Sequence, residues 1–144
     1  DVEAWGVAGL LHDFDYERFP SLDDHPFKGA EILRARGLDE ELIQTILSHA
    51  DHTGVPRTTP MRRALCAVDE LCGFVTAVAL VRPSKKLDDV EPSSVKKKLK
   101  DRAFARNVSR DDIRRGAELL GVSDDEHIAN VLTALKAIAT DLGL

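Results

Sequence analysis

The sequence predicts an all-α fold, on three observations. Apolar residues recur at helical spacing in segment after segment, helix start and stop residues fall between those segments, and alternating strand-like patterns are almost absent. At 144 residues the simplest organisation is one domain over residues 1–144. Within it, residues 1–82 would form one half, and residues 83–144 a basic helix followed by C-terminal helices. A chain of this length buries about two thirds of its unfolded surface and needs no disulfide or structural metal to fold.

The first helix is expected from about Val2 to His12. It is apolar on several sides and is therefore expected to be buried. It delivers an adjacent histidine and aspartate, His12 and Asp13, to its end. A loop with Asp15, Tyr16, Phe19 and Pro20 follows. The second helix has Asp23 and Asp24 near its start, Pro26 in its first turn and Gly37 as its stop. The third begins near Asp39 and places Leu42, Ile43, Ile46 and Leu47 on one face, with His49 a turn beyond. His52-Thr53-Gly54-Val55-Pro56-Arg57 reads as a loop. Thr59 then caps, and Pro60 opens, the longest helix, running to about Arg82 before Pro83. Its expected buried stripe is Met61, Leu65, Val68, Cys72, Val75 and Ala79, with Asp69 about a quarter turn away.

Pro92-Ser93-Ser94 starts a basic helix whose apolar side is Val95 and Leu99, continued by Phe104 and Val108. Ser109 caps a helix carrying Ile113, Ala117 and Leu120, closed by Gly121. Ser123 and Glu126 form a capping-box pattern ahead of Ile128, Val131, Leu132, Leu135, Ile138 and Leu142, which repeat at helical period to the end.

Composition narrows the function classes. The apolar run Leu71–Val81 is far shorter than the roughly 18 residues of a membrane span, so no membrane partner is expected. Cys66 and Cys72, six apart on one helix, point to different faces and read as reduced thiols of a cytoplasmic protein. The chain starts at Asp1 without methionine and enters in mid-helix, which reads as a fragment. The net charge of −5 conceals a segregation. Residues 82–115 hold twelve basic and six acidic side chains, a local +6, and leave −11 for the remainder. Such a segment suits an anionic ligand or partner, and equally a solvated helix face. Nucleic acid is not expected, because Phe104 is the one aromatic near the lysine run. A homo-oligomer remains open.

The chemistry-bearing residues, in order, are His12, Asp13, His25, His49 and Asp69. Imidazole and carboxylate donors without cysteine suit a divalent first-row metal or magnesium rather than a structural zinc cage. His52 and His127 read as hydrogen-bonded structural histidines. An isolated His-Asp pair at a helix end is more often structural than ligating, and spacing alone does not bring the five residues together.

Residues 9–79 resemble the HD superfamily of metal-dependent phosphohydrolases, in particular its HDIG-type members. Leu10-Leu11-His12-Asp13 is similar to that family's doublet after an apolar helix. His25-Pro26-Phe27-Lys28-Gly29-Ala30 is similar to its His-Pro-x-x-Gly-Ala run. His49 ahead of Gly54-Val55-Pro56 matches its next histidine, and Ala67-Val68-Asp69 is placed on its helical aspartate, the alanine one position nearer. The family's first histidine, upstream of the doublet, has no counterpart here.

The resemblance implies that His12, Asp13 and Asp69 hold a first metal ion, that Asp13 also reaches a second held by His25 and His49, and that a metal-activated water attacks phosphorus. His12 and Asp13 would be the catalytic pair, and Lys28 and Arg57 would neutralise the phosphate of a small phosphorylated substrate such as a nucleotide. One or two ions of manganese, magnesium, iron or another first-row metal are expected. The alternatives are a catalytically incomplete binding or regulatory domain of the same fold and a diiron oxygenase.

Overall fold

The computed structural model describes residues 1–144 and is all-helical, without strands. The chain divides into two compact units, Asp1–Cys66 and Ala67–Leu144.

The first unit contains α1 (Val2–Leu11), α2 (Phe27–Ala35), α3 (Glu40–Leu47), a 3-10 turn at Asp51–Thr53 and the start of α4 (Pro60–Leu80). Asp39 caps α3, its carboxylate accepting from the Glu41 and Leu42 amides and so satisfying donors that the first turn leaves open. Ala30 and Leu33 of α2 pack on Ile43, Ile46 and Leu47 of α3, with Leu11 and Val55 at the margin. Arg62 ties the start of α4 to α3 through Glu41 at 2.8 Å.

Two expectations fail in this unit. α1 is not buried: Ala8 is its one buried residue, while Val2 is 88% and Leu10 80% exposed. Apolar periodicity reports where apolar side chains lie, not whether other elements arrive to cover every side, and within this unit α1 packs against α3. The second helix also starts later than expected, at Phe27, so that Pro26 precedes it as N-cap instead of lying in its first turn. Ser21 donates to the Asp24 carboxylate at 2.9 Å, and this local side-chain bonding holds residues 21–26 in turns.

The second unit holds the rest of α4, a 3-10 turn at Leu87–Asp89, α5 (Pro92–Leu99), α6 (Arg110–Leu120), α7 (Asp124–Ala137) and α8 (Ala139–Leu142). Its core is built on Leu71, Phe74, Val75 and Val78 of α4, closed by Leu87, Val90, Val95, Ile113, Ile128, Val131 and Leu132. The expected α4 stripe is therefore rotated. Val75 and Ala79 are buried as expected, but Val68 and Cys72 lie at the margin, and Leu71, Phe74 and Val78 carry the centre. Ser109 and Ser123 cap α6 and α7, accepting from the Asp112 and Glu126 amides. Gly121 ends α6 with φ +69°, a conformation cheap only for glycine.

α5 does not continue to Val108. It stops at Leu99, and the Asp101 carboxylate accepts from the Ala103 and Phe104 amides to start a turn. Arg110 clamps that turn, donating to the carbonyls of Asp101, Phe104, Ala105 and Val108 while stacking 4.9 Å from the Phe74 centroid. Phe104 turns inward, edge-on to Phe74 at 5.4 Å. The last helix also breaks, at Ile138 (φ −116°, ψ 15°), which is exposed rather than part of a buried stripe.

No helix is long and apolar enough to cross a membrane. Both cysteines are free.

Candidate metal centre

Three histidines in the first unit are anchored in the same way. His12 follows the last residue of α1, and its Nδ1–H donates to the Gly9 carbonyl at 2.8 Å. His49 lies two residues beyond α3 and donates from Nδ1 to the Ile46 carbonyl at 2.6 Å. Both acceptors are among the last-turn carbonyls that a helix cannot pair internally. His25 sits just before α2, its bond to Pro26 cis. Its Nδ1–H donates to Asp15 Oδ1 at 2.8 Å. The other oxygen, Asp15 Oδ2, accepts the Gly29 amide of the first turn of α2 at 2.8 Å.

With each Nδ1 holding the proton, each Nε2 presents a lone pair, and the hydrogen bonds fix that tautomer. These lone pairs converge. Asp13 Oδ1 lies 3.3 Å from His25 Nε2 and 3.5 Å from His49 Nε2, and the two Nε2 atoms are 3.3 Å apart. Asp13 Oδ2 faces His12 Nε2 at 3.4 Å. Two neutral imidazole lone pairs and a carboxylate oxygen repel one another at such distances unless positive charge lies between them. Ligands bound at about 2.0–2.2 Å in a tetrahedral array stand about 3.3–3.6 Å apart, so the spacing fits one shared ion. The donors are nitrogen and oxygen without sulfur, which suits a divalent metal. With a proton on Nε2 as well, the His12 ring and then His49 hydrogen-bond to the Asp13 carboxyl and hold it far below the usual carboxylate range, although burial opposes the shift.

The structure thus brings together His12, Asp13, His25 and His49. Asp69 lies on α4 in the second unit, partly buried. Lys28, in the first turn of α2, pairs with Glu31 at 3.0 Å on the exposed side. Arg57 is committed elsewhere: it donates to the Ser48 and His49 carbonyls at 2.9 and 3.1 Å and to Asp51 at 2.5 Å. It holds the backbone of His49, a candidate ligand. His52 is hydrogen-bonded too, its Nε2–H donating to the His25 carbonyl at 2.8 Å.

Asp15 is the positioning residue of this candidate site that the sequence pattern does not single out. It is 3% exposed and fixes the tautomer and orientation of His25. The available signal is Gly29. A Cβ at that position would stand 2.7 Å from Asp15 Cγ, so the glycine of His25-Pro26-x-x-Gly29 marks the approach of another group.

The family model described as HD domain matches residues 1–74 of this chain. No curated protein matches it, and no solved structure does.

Proposed function

This chain belongs to the HD domain family, whose members are generally metal-dependent phosphohydrolases, and we propose that it hydrolyses a small phosphate ester, a nucleotide or related phosphorylated molecule. The observation that carries the reading is the convergence of His25 Nε2, His49 Nε2 and Asp13 Oδ1 within 3.3–3.5 Å, every Nδ1 being engaged elsewhere. With both rings in the Nδ1–H tautomer, that donor set is arranged to ligate.

His25, His49 and Asp13 would hold one divalent ion. Asp13 keeps its second oxygen toward His12, which makes it the residue able to serve two ions. When bound, such an ion supplies an acidified water and a counter-charge for phosphoryl oxygens. The chain's own residues orient and neutralise. The Nδ1 anchors hold the rings, and Asp15 raises the donor strength of His25. Lys28, whose exposed pairing with Glu31 is weak, is the cation proposed to meet substrate phosphate. The resemblance offers Asp69 as a further ligand; an Asp69→Ala protein that binds metal like its parent would remove it from the set. Free thiols suit a cytoplasmic setting.

Elemental analysis of the purified protein, followed by a panel of phosphate esters with manganese, magnesium or iron added, tests the reading. Bound metal and released phosphate are expected, both lost in Asp13→Ala. Turnover retained by Asp13→Ala sinks the mechanism. A protein that binds no metal and stays inactive with each added ion would be the incomplete binding domain instead, and oxygen consumption with bound iron would make it an oxygenase.

A further inference from the structure

The basic segment has no part in the metal centre, and the structure gathers it around a cavity. This cavity of about 1010 Å³ lies within the second unit, among α5, the turn of residues 101–108 and the first turns of α6 and α7. Six cationic side chains line it, Lys96, Lys100, Arg102, Arg106, Arg110 and Arg114, against three carboxylates. Three of the cations are occupied. Lys96 pairs with Asp125 at 2.7 Å, Arg114 with Asp111, and Arg110 holds the backbone of the turn. Lys100, Arg102 and Arg106 form no ion pair. They converge on a concavity in a chain whose net charge is −5.

Two further features describe the occupant. Leu99, Val108, Ile113 and Ile128 supply an apolar lining beside the cations. His127 also lines the cavity and is 1% exposed. Its Nε2–H donates to the Ala67 carbonyl at 2.9 Å, and its Nδ1 has no hydrogen-bond partner. With the proton on Nε2, Nδ1 is a buried acceptor, and a buried acceptor left unpaired is costly. We propose that this cavity is a binding site for a phosphorylated small molecule with an apolar body and an N–H donor, the chemistry of a nucleoside phosphate. Lys100, Arg102 and Arg106 take the phosphates, the aliphatic side chains take the body, and His127 Nδ1 accepts the N–H. Pockets for small molecules combine an apolar lining with a few placed polar groups in this way. A nucleic-acid strand is disfavoured, because the nearest aromatic, Phe104, is packed edge-on with Phe74, carries the Lys98 ammonium over its ring and is not among the residues lining the cavity.

The test is calorimetric titration of the full chain with ADP, inorganic pyrophosphate and a single-stranded RNA oligomer, in chelator so that the metal centre does not draw the phosphates. ADP is expected to bind about tenfold more tightly than pyrophosphate. The exposed triple variant Lys100→Glu/Arg102→Glu/Arg106→Glu should lose at least about tenfold in ADP affinity with an unchanged far-ultraviolet spectrum. Asp13→Ala should bind ADP as the parent does. The proposal is overturned if the parent binds no ADP at millimolar concentration, or if the triple variant binds it undiminished. Loss of binding in Asp13→Ala would place the nucleotide in the metal centre instead. Pyrophosphate binding as tightly as ADP would remove the nucleoside, and RNA binding more tightly than ADP with a steep salt dependence would make the surface a nucleic-acid site.

Discussion

Asp15, His25 and Gly29 form a relay in which each residue is legible only through the others. The Asp15 carboxylate spends one oxygen on a ligand ring and the other on the first turn of α2, both at 2.8 Å. Asp15→Asn keeps the size but offers one carbonyl oxygen for two donors. Metal affinity is therefore expected to fall about 10–100-fold with the fold retained, read by competition against a chelator. Gly29→Ala should do the same from the opposite side, because its Cβ would displace the carboxylate. An affinity unchanged in both variants would show that the relay does not position His25. Proton linkage gives a second residue-scale expectation for the metal-free protein. The Asp13 carboxyl is depressed by His12 and His49, so its contribution is present above the ordinary carboxylate pKa and is lost as pH falls through its own lower value. In chelator, between about pH 5 and 3, the thermal midpoint of the parent should fall more steeply than that of Asp13→Asn.

The helices show what periodicity can and cannot carry. Caps were readable because they are local: Ser109, Ser123 and Gly121 each act where their residue type suggests. The stripe of α4 was misplaced because several elements cover it, and the burial maximum follows those neighbours rather than one line of apolar residues. Phe74→Ala is accordingly expected to cost about 3–5 kcal/mol in denaturant unfolding, and Met61→Ala, at a partly buried position, much less. The apolar residues of the turn 101–108 keep helical spacing and so predict a helix, while the deciding contact, Arg110 donating to four carbonyls within nine residues before it, is a polar side-chain geometry to which apolar periodicity is blind. Cys72 adds a pH signature to α4. Burial pushes its thiol up to about 11 from 9.0. The folded value is raised, so the associated stability is complete below about pH 9 and disappears as pH rises toward 11. The parent should lose about 2–3 kcal/mol more than Cys72→Val over that window, a difference cancelling every other group that titrates there.

Across the whole molecule, the residues that cluster at the candidate centre are more legible than the burial of the helices that carry them. Helix ends supply its candidate ligands, and helix ends are marked in sequence by short-range signals, whereas burial depends on which elements arrive from elsewhere in the chain. The metal-linked stability follows from the same topology. His12 and Asp13 come from the end of α1, His25 from the approach to α2 and His49 from beyond α3, so an unfolded chain does not present them as one set. Binding to the folded form alone adds stability of RT ln(1 + [M]/Kd), about 2.7 kcal/mol at a hundredfold excess over Kd. The unfolding transition of the first unit should move upward when manganese is added, return when chelator is added, and stay fixed in Asp13→Ala. Amide exchange supplies the local reading, slowing upon metal addition in residues 9–15, 25–30 and 46–53, where ligands and their anchors lie. Equal stabilisation of Asp13→Ala by manganese would place the ion elsewhere, since Asp13 supplies the carboxylate oxygens that face His12, His25 and His49.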